Sequence, residues 1–133
     1  MEPFLNIKYK LERCDNLDEL LDEMDVNAFI RKIASSVSTT IQLVRKGDEY
    51  TLSTKMLLMT TTQKFKMGEE KDVTTTDGRK VKNVFTVDGN VLTEKQIGDQ
   101  TLTIVREFAE NEMIATSYYG NVVCKAYCKP LKQ

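Results

Sequence analysis

Leu102-Thr103-Ile104-Val105-Arg106-Glu107-Phe108, read as an extended strand, sends Leu102, Ile104, Arg106 and Phe108 to one side. Thr103, Val105 and Glu107 go to the other. Three apolar residues accompany Arg106, against one on the opposite side, so the Arg106 face is expected to point into a core. An arginine cannot escape burial by losing its proton, and a buried charge without a partner is costly. Arg106 therefore needs an acidic partner, ordered water or an anionic ligand. Pattern alone leaves open the opposite orientation, with Arg106 solvated and Thr103, Val105 and Glu107 inward.

Working outward from this stretch, turn signals recur in both directions. Gly68, Gly78, Gly89 and Gly98 punctuate the middle of the chain at spacings of about ten residues. Lys46-Gly47-Asp48, Asp77-Gly78, Asp88-Gly89, Gly98-Asp99 and Gly120-Asn121 are hairpin-type dipeptides, and Glu110-Asn111 supplies a further turn. Between them lie Thr- and Val-rich segments such as Thr39-Thr40-Ile41-Gln42-Leu43 and Val84-Phe85-Thr86-Val87. This predicts an antiparallel meander of about ten short strands, closing into a barrel or a pair of sheets. A barrel of that size has room for an internal cavity.

One region departs from the rhythm. Leu17, Leu20, Leu21 and Met24 fall at helical spacing, and Asn16 with Glu19 three residues later has the form of a capping box. Asp25-Val26-Asn27 interrupts, then Phe29, Ile30 and Ile33 form a second short stripe. Two short helices over residues 16–35 are expected after the first strand, covering one open end of a single domain spanning 1–133. Asp18, Glu19, Asp22, Glu23 and Asp25 make the first helix acidic outside, while Arg31 and Lys32 form a small basic spot on the second. A solvated face accounts for both.

Composition excludes several functions. The chain has 133 residues, a formal net charge of −1 and no histidine. There is no global basic field for nucleic acid, and no imidazole to serve as general base or metal ligand. No phosphate loop, metal-ligand cluster or serine-nucleophile elbow is present, so neither a cofactor nor catalysis is expected. Cys14, Cys124 and Cys128 form no disulfide framework. The last two lie roughly 13 Å apart on a strand, beyond bridging distance, which suggests free thiols in a reducing, cytoplasmic setting. Met1-Glu2-Pro3-Phe4 has no signal-peptide character and no apolar run reaches membrane-spanning length, so the expected protein is neither secreted nor membrane-spanning.

Two further stretches carry chemistry. Val123, Lys125 and Tyr127 share a strand face near the C-terminus, where pattern favours an exposed terminal strand with ordinary lysines. Met56-Leu57-Leu58-Met59 is an unbroken apolar run; core packing explains it, and the alternative is a flexible lip at a cavity entrance.

The chain resembles the intracellular fatty-acid-binding protein family, the cytosolic group that includes the cellular retinoid-binding proteins. Phe4-Leu5-Asn6-Ile7-Lys8-Tyr9-Lys10-Leu11 is similar to the family's opening strand, and Asn16 to Leu21 with Val26 to Ser35 to its two helices. Phe65-Lys66-Met67-Gly68-Glu69-Glu70 and Asp77-Gly78-Arg79-Lys80-Val81-Lys82 match its middle. Thr103 to Phe108 and Gly120 to Cys124 match its end. Order and spacing together make the likeness specific over nearly the whole chain.

The resemblance implies a ten-strand β-clam with a two-helix lid, and a fatty-acid carboxylate held inside by two arginines and a tyrosine. Arg106 falls on the first arginine position and Tyr127 on the tyrosine. Lys125 then stands for the second arginine, with the stretch from Cys124 to Tyr127 one residue shorter than usual. Lysine keeps the charge and loses the bidentate fork. Leu58 falls on the portal position, and Met56, Phe29 and Ile33 are the other expected apolar lining residues. Leu17, Asp25, Lys71 and Val73 depart from the family pattern. The implied function is non-covalent binding and transport of a long-chain fatty acid, one or two molecules per protein, by a monomer touching membranes at most transiently. A retinoid or other hydrophobic carboxylate is the alternative ligand, and delivery to a membrane or nuclear partner through the lid the alternative role.

Overall fold

Alternation and the turn glycines together build one sheet. The computed structural model describes residues 1–34, 38–57 and 59–131. After a short 3-10 turn, Glu2–Phe4, come β1 (Lys8–Asp15), α1 (Leu17–Glu23) and α2 (Ala28–Ala34). Nine strands follow: β2 (Thr40–Lys46), β3 (Glu49–Lys55), β4 (Thr60–Lys66), β5 (Lys71–Thr74), β6 (Lys80–Asp88), β7 (Val91–Ile97), β8 (Leu102–Phe108), β9 (Met113–Tyr119) and β10 (Val122–Pro130). All pairings are antiparallel, in the order β4-β3-β2-β1-β10-β9-β8-β7-β6-β5. This is the expected ten-strand meander, with β1 pairing β10 to curl the sheet.

The hairpins form where the dipeptides predict them. Gly47-Asp48, Gly89-Asn90 and Gly120-Asn121 are two-residue loops between β2 and β3, β6 and β7, and β9 and β10. Gly47 and Gly89 sit at φ 64° and 62°, as a hairpin twisted to match its strands requires. Ala109 N–H bonds to Glu112 O across the Glu110-Asn111 turn.

The ladder is open between β4 and β5. Side chains span the opening: Phe65 of β4 stacks on Phe85 of β6 with ring centroids 3.7 Å apart, and Lys71 Nζ donates to Lys64 O. Gly68 N–H, in the connection between these two strands, donates to Phe85 O. Tyr9, Leu43, Leu52, Phe85, Leu92, Phe108 and Met113 form the main core, each burial contributing about 1.5–3 kcal/mol for the large side chains.

α1 buries Leu20 and Leu21, as its stripe predicts, and Leu20 packs against Leu102, Tyr119 and Cys124. The capping box does not form. Asn16 takes a left-handed conformation (φ 66°) and its amide donates to Val123 O, so it ties the helix to β10 instead of capping. Asn27 caps α2: its Oδ1 accepts the Ile30 N–H at 3.0 Å. Arg31 is ion-paired to Asp22 at 2.6 Å, so the second helix's basic spot is partly neutralised by the first helix's acids.

Candidate functional site

Leu102, Arg106 and Phe108 are buried and Glu107 is exposed, so the Arg106 face points inward. Only 8% of Arg106 is accessible. Its partner comes from the next strand. β7 pairs β8 with Leu92 opposite Arg106 and Glu94 opposite Ile104, which places Glu94 on the same face, diagonal to Arg106 and within reach of a long side chain. Arg106 Nη1 donates to Glu94 Oε1 at 2.8 Å, and Glu94 is fully buried.

The second oxygen of Glu94 is saturated. Its Oε2 accepts Asn83 Nδ2 at 2.9 Å, Gln96 Nε2 at 3.0 Å and Gln63 Nε2 at 3.1 Å. Burial pushes the Glu94 carboxyl up, but the Arg106 charge and these donors outweigh it and hold the group below its ordinary range. Glu94 is therefore ionised at neutral pH. The relay continues outward: Arg79 Nη2 donates to Gln96 Oε1 at 2.7 Å, and Arg79 Nε pairs with Asp77 at 2.7 Å. Two guanidinium atoms in this relay, Arg106 Nε and Arg79 Nη1, are buried and have no hydrogen-bond partner among the described residues.

A cavity of about 590 Å³ opens beside this network, at the gap between β4 and β5. Gln63, Asn83 and Gln96 line it, together with Phe65, Phe85 and a run of threonines, Thr74 to Thr76. The three amides that face the cavity are the three that hold Glu94. Arg106 lies one ion pair beyond them. A second, apolar pocket of about 170 Å³ sits under the helices, lined by Leu21, Met24, Ile30, Met56 and Met59, with Asp77 of the relay at its edge.

The other expected head-group residues are elsewhere. Lys125 is exposed, and the half-buried Tyr127 ring lies under the exposed guanidinium of Arg13, 4.1 Å from CZ to centroid. Neither is brought to Arg106. The inward residues of β10 are Cys124, Ala126 and Cys128: Cys124 packs under α1, Ala126 pairs Ala115, and Ala115 pairs Arg106. Read without a shortened segment, Ala126 and Cys128 stand where the resemblance puts an arginine and a tyrosine. Moving a strand's register by one residue exchanges its two faces, and that exchange is the whole correction. Cys128 adds no charge, because burial pushes its thiol up to about 12. Cys14 and Cys124 are free thiols with Sγ atoms 3.3 Å apart.

Of the expected lining residues, Met56 borders the apolar pocket. Phe29 is 58% exposed and does not line it; its neighbour Ile30 does. Leu58 lies outside the described residues, as does the Ile33 side chain. Glu94 went unread in the sequence because Val91 and Ile97 make the opposite face of β7 the more apolar one. Hairpin register was the available signal.

The ten-strand sheet capped by two helices has known relatives. The sequence profile of the lipocalin / cytosolic fatty-acid binding protein family matches residues 8–125. A fatty acid-binding protein of Tyrophagus putrescentiae is 40% identical over 94% of this chain and 96% of its own. The chain belongs to this family. Among solved structures, the fatty acid-binding protein from brain tissue of Drosophila melanogaster superposes with a TM-score of 0.90 at 45% identity, covering 95% of this chain and 98% of that one. The Schistosoma mansoni fatty acid binding protein in complex with arachidonic acid gives a TM-score of 0.91 at 33% identity, covering 99% and 98%. As a cytosolic fatty-acid-binding family member, this chain shares the fold of lipid carriers, while the charges of its relay, among the described residues, are two arginine–carboxylate pairs, Arg106–Glu94 and Arg79–Asp77.

Proposed function

We propose that the protein binds a long-chain fatty acid non-covalently inside the sheet and carries it as a cytoplasmic monomer. The observation that carries this reading is Arg106: a buried guanidinium whose Nε has no partner among the described residues, at the inner end of a polar relay bordering a cavity. The cavity volume falls within the ~300–1,000 Å³ of small-molecule sites. The acyl chain gains about 0.8 kcal/mol for each CH₂ it removes from water. The Arg106 charge orients the carboxylate. No step in this cycle makes or breaks a covalent bond, so the role is carriage and not catalysis.

The relatives support the ligand class, one of them having been solved with arachidonic acid. Exit runs past the helices, where Met56, Met59 and Ile30 line the apolar pocket and the adjacent Leu57 and Phe29 are exposed. These two residues offer a transient membrane contact during transfer.

Mass spectrometry of organic extracts from the purified protein should recover unmodified long-chain fatty acid. Titration of delipidated protein should then compare oleate with oleyl alcohol, using the double variant Arg106→Gln/Glu94→Gln, which removes the charge pair without leaving either member alone. Oleate should lose affinity far more than the alcohol. Equal losses would take Arg106 out of the head-group site.

A further inference from the structure

The family resemblance implies an interior whose cations outnumber its anions, ready for a carboxylate. Here that balance is different. On β10 the inward positions are Ala126 and Cys128, which carry no charge, and β7 contributes a buried carboxylate, Glu94, already bonded to Arg106. An ionised fatty acid approaching from the cavity meets Glu94 and its three amide donors before it meets Arg106. Two carboxylates on one guanidinium in a buried site cannot both stay ionised, because their mutual repulsion is poorly screened there. One of the pair must hold a proton.

We infer that fatty-acid binding in this protein takes up one proton, shared between Glu94 and the ligand carboxylate on Arg106. The inference rests on the carrier reading above and deepens it: the species bound is the fatty acid plus a proton, and Glu94 is the residue that sets this.

Among the described residues, Glu94 is held by one cation and three neutral amides. From β8 it faces Arg106; from β6, Asn83; from β4, Gln63; and from its own strand, Gln96. Arg79, just before β6, reaches Gln96 but is itself paired with Asp77, so that pair is neutral. Of the buried titratable groups on β10 and β1, the Cys128 thiol and the Tyr9 phenol are both pushed up by burial and stay protonated at neutral pH, so they add no charge. Among the described residues, Arg106 is thus the one cation in contact with Glu94. A shared proton turns two competing acceptors into a donor–acceptor pair: one carboxyl O–H donates to the other carboxylate, and Arg106 Nε gains an acceptor while Nη1 keeps its own.

The linkage has a definite sign. Below the ordinary carboxylate range the free ligand is already protonated and brings its own proton, so binding takes up none from solution. Above it, up to the raised value of the shared pair, each unit of pH weakens binding by up to tenfold. Oleyl alcohol, which does not ionise, should bind without that dependence.

The test is calorimetric titration of delipidated protein with oleate between pH 6.5 and 8.5, in buffers of different ionisation enthalpy. Uptake of about one proton by the native protein is expected, with close to none for Glu94→Gln, whose oleate affinity at pH 8 should be at least tenfold the native value. Circular dichroism establishes that Glu94→Gln is folded. Oleyl alcohol titrated into the native protein gives the same contrast without any substitution. Tight oleate binding by the native protein with no proton uptake overturns the inference and leaves the carrier reading standing. Failure of both proteins to bind oleate at any pH removes the carrier reading, and the inference with it.

Discussion

β8 and β10 each present a basic residue amid apolar ones, and the two behave oppositely. On β8, Arg106 goes inward because Leu102, Ile104 and Phe108 go with it, and a glutamate on the neighbouring strand meets it. On β10, Lys125 goes outward because the companions that seal the core are Cys124, Ala126 and Cys128 on the other face. Small residues and thiols hide well in a core yet scarcely register as a hydrophobic stripe. The difference teaches that a charge's orientation is set by what the rest of its strand has to bury, and by whether a partner waits inside.

The sharpest way to break this comparison is to remove one member of the β7–β8 pair. Arg106→Gln should cost about 3–5 kcal/mol in urea unfolding, because Glu94 is left buried without its cation. Adding Glu94→Gln should recover most of that loss, since replacing both members by neutral amides leaves no isolated charge. If the double variant is as unstable as the single, the pair is not the source of the cost.

A second test rebuilds on β10 what β8 already has. Ala126 lies in line with Ala115 and Arg106, two strands from Arg106 with only the small Ala115 side chain between them. Ala126→Arg should add an inward cation and tighten oleate about tenfold, the ~1.4 kcal/mol of one further charge-assisted contact. The same substitution at Lys125, on the outer face, should leave affinity unchanged. Equal effects at both positions would contradict the register.

Acid tests the pair without mutation. The Glu94 carboxyl is held below its unfolded value of about 4.3, so its stabilising share is complete above that pH and is lost as pH falls through the lower, folded value. Urea midpoints should therefore fall at low pH in the native protein, and fall less in the double variant Arg106→Gln/Glu94→Gln. Parallel curves for both would detach Glu94 from the acid transition. The loss should be smaller than that of Arg106→Gln, because a protonated Glu94 remains an uncharged, hydrogen-bonded acid.

The fold was largely legible because its signals are local. Gly47-Asp48, Gly89-Asn90 and Gly120-Asn121 each demand a tight hairpin, and the stripe of α1 is apolar at helical spacing. The site was legible only in part. Arg106 announced itself by its strand companions, together with the need for an acidic partner or anionic ligand. Glu94 did not, because on β7 the inward face carries Leu92, Glu94 and Gln96 and is the more polar one. A binding interior inverts the usual alternation wherever it is lined by hydrogen-bonding groups. For Lys125 and Tyr127 the reverse happened: simple alternation on β10 favoured an exposed face, and family resemblance with a shortened segment drew them inward. Asn16 shows a third limit, since its side chain found the Val123 carbonyl, a partner distant in sequence, in place of its own helix.

The smallest expected effect belongs to the outer face of β10. Arg13 on β1 is the cross-strand partner of Tyr127, and its guanidinium lies over the ring in water. Such a contact contributes about 0.5–1 kcal/mol at an exposed site. Tyr127→Leu keeps apolar cover over β1 and should lose only that amount in urea unfolding, with oleate affinity within twofold of native. Arg13→Gln should cost the same, and the two losses should not add, because each removes the same contact. A large loss of oleate affinity in Tyr127→Leu would return the tyrosine to the head-group site and require β10 to slip by one residue.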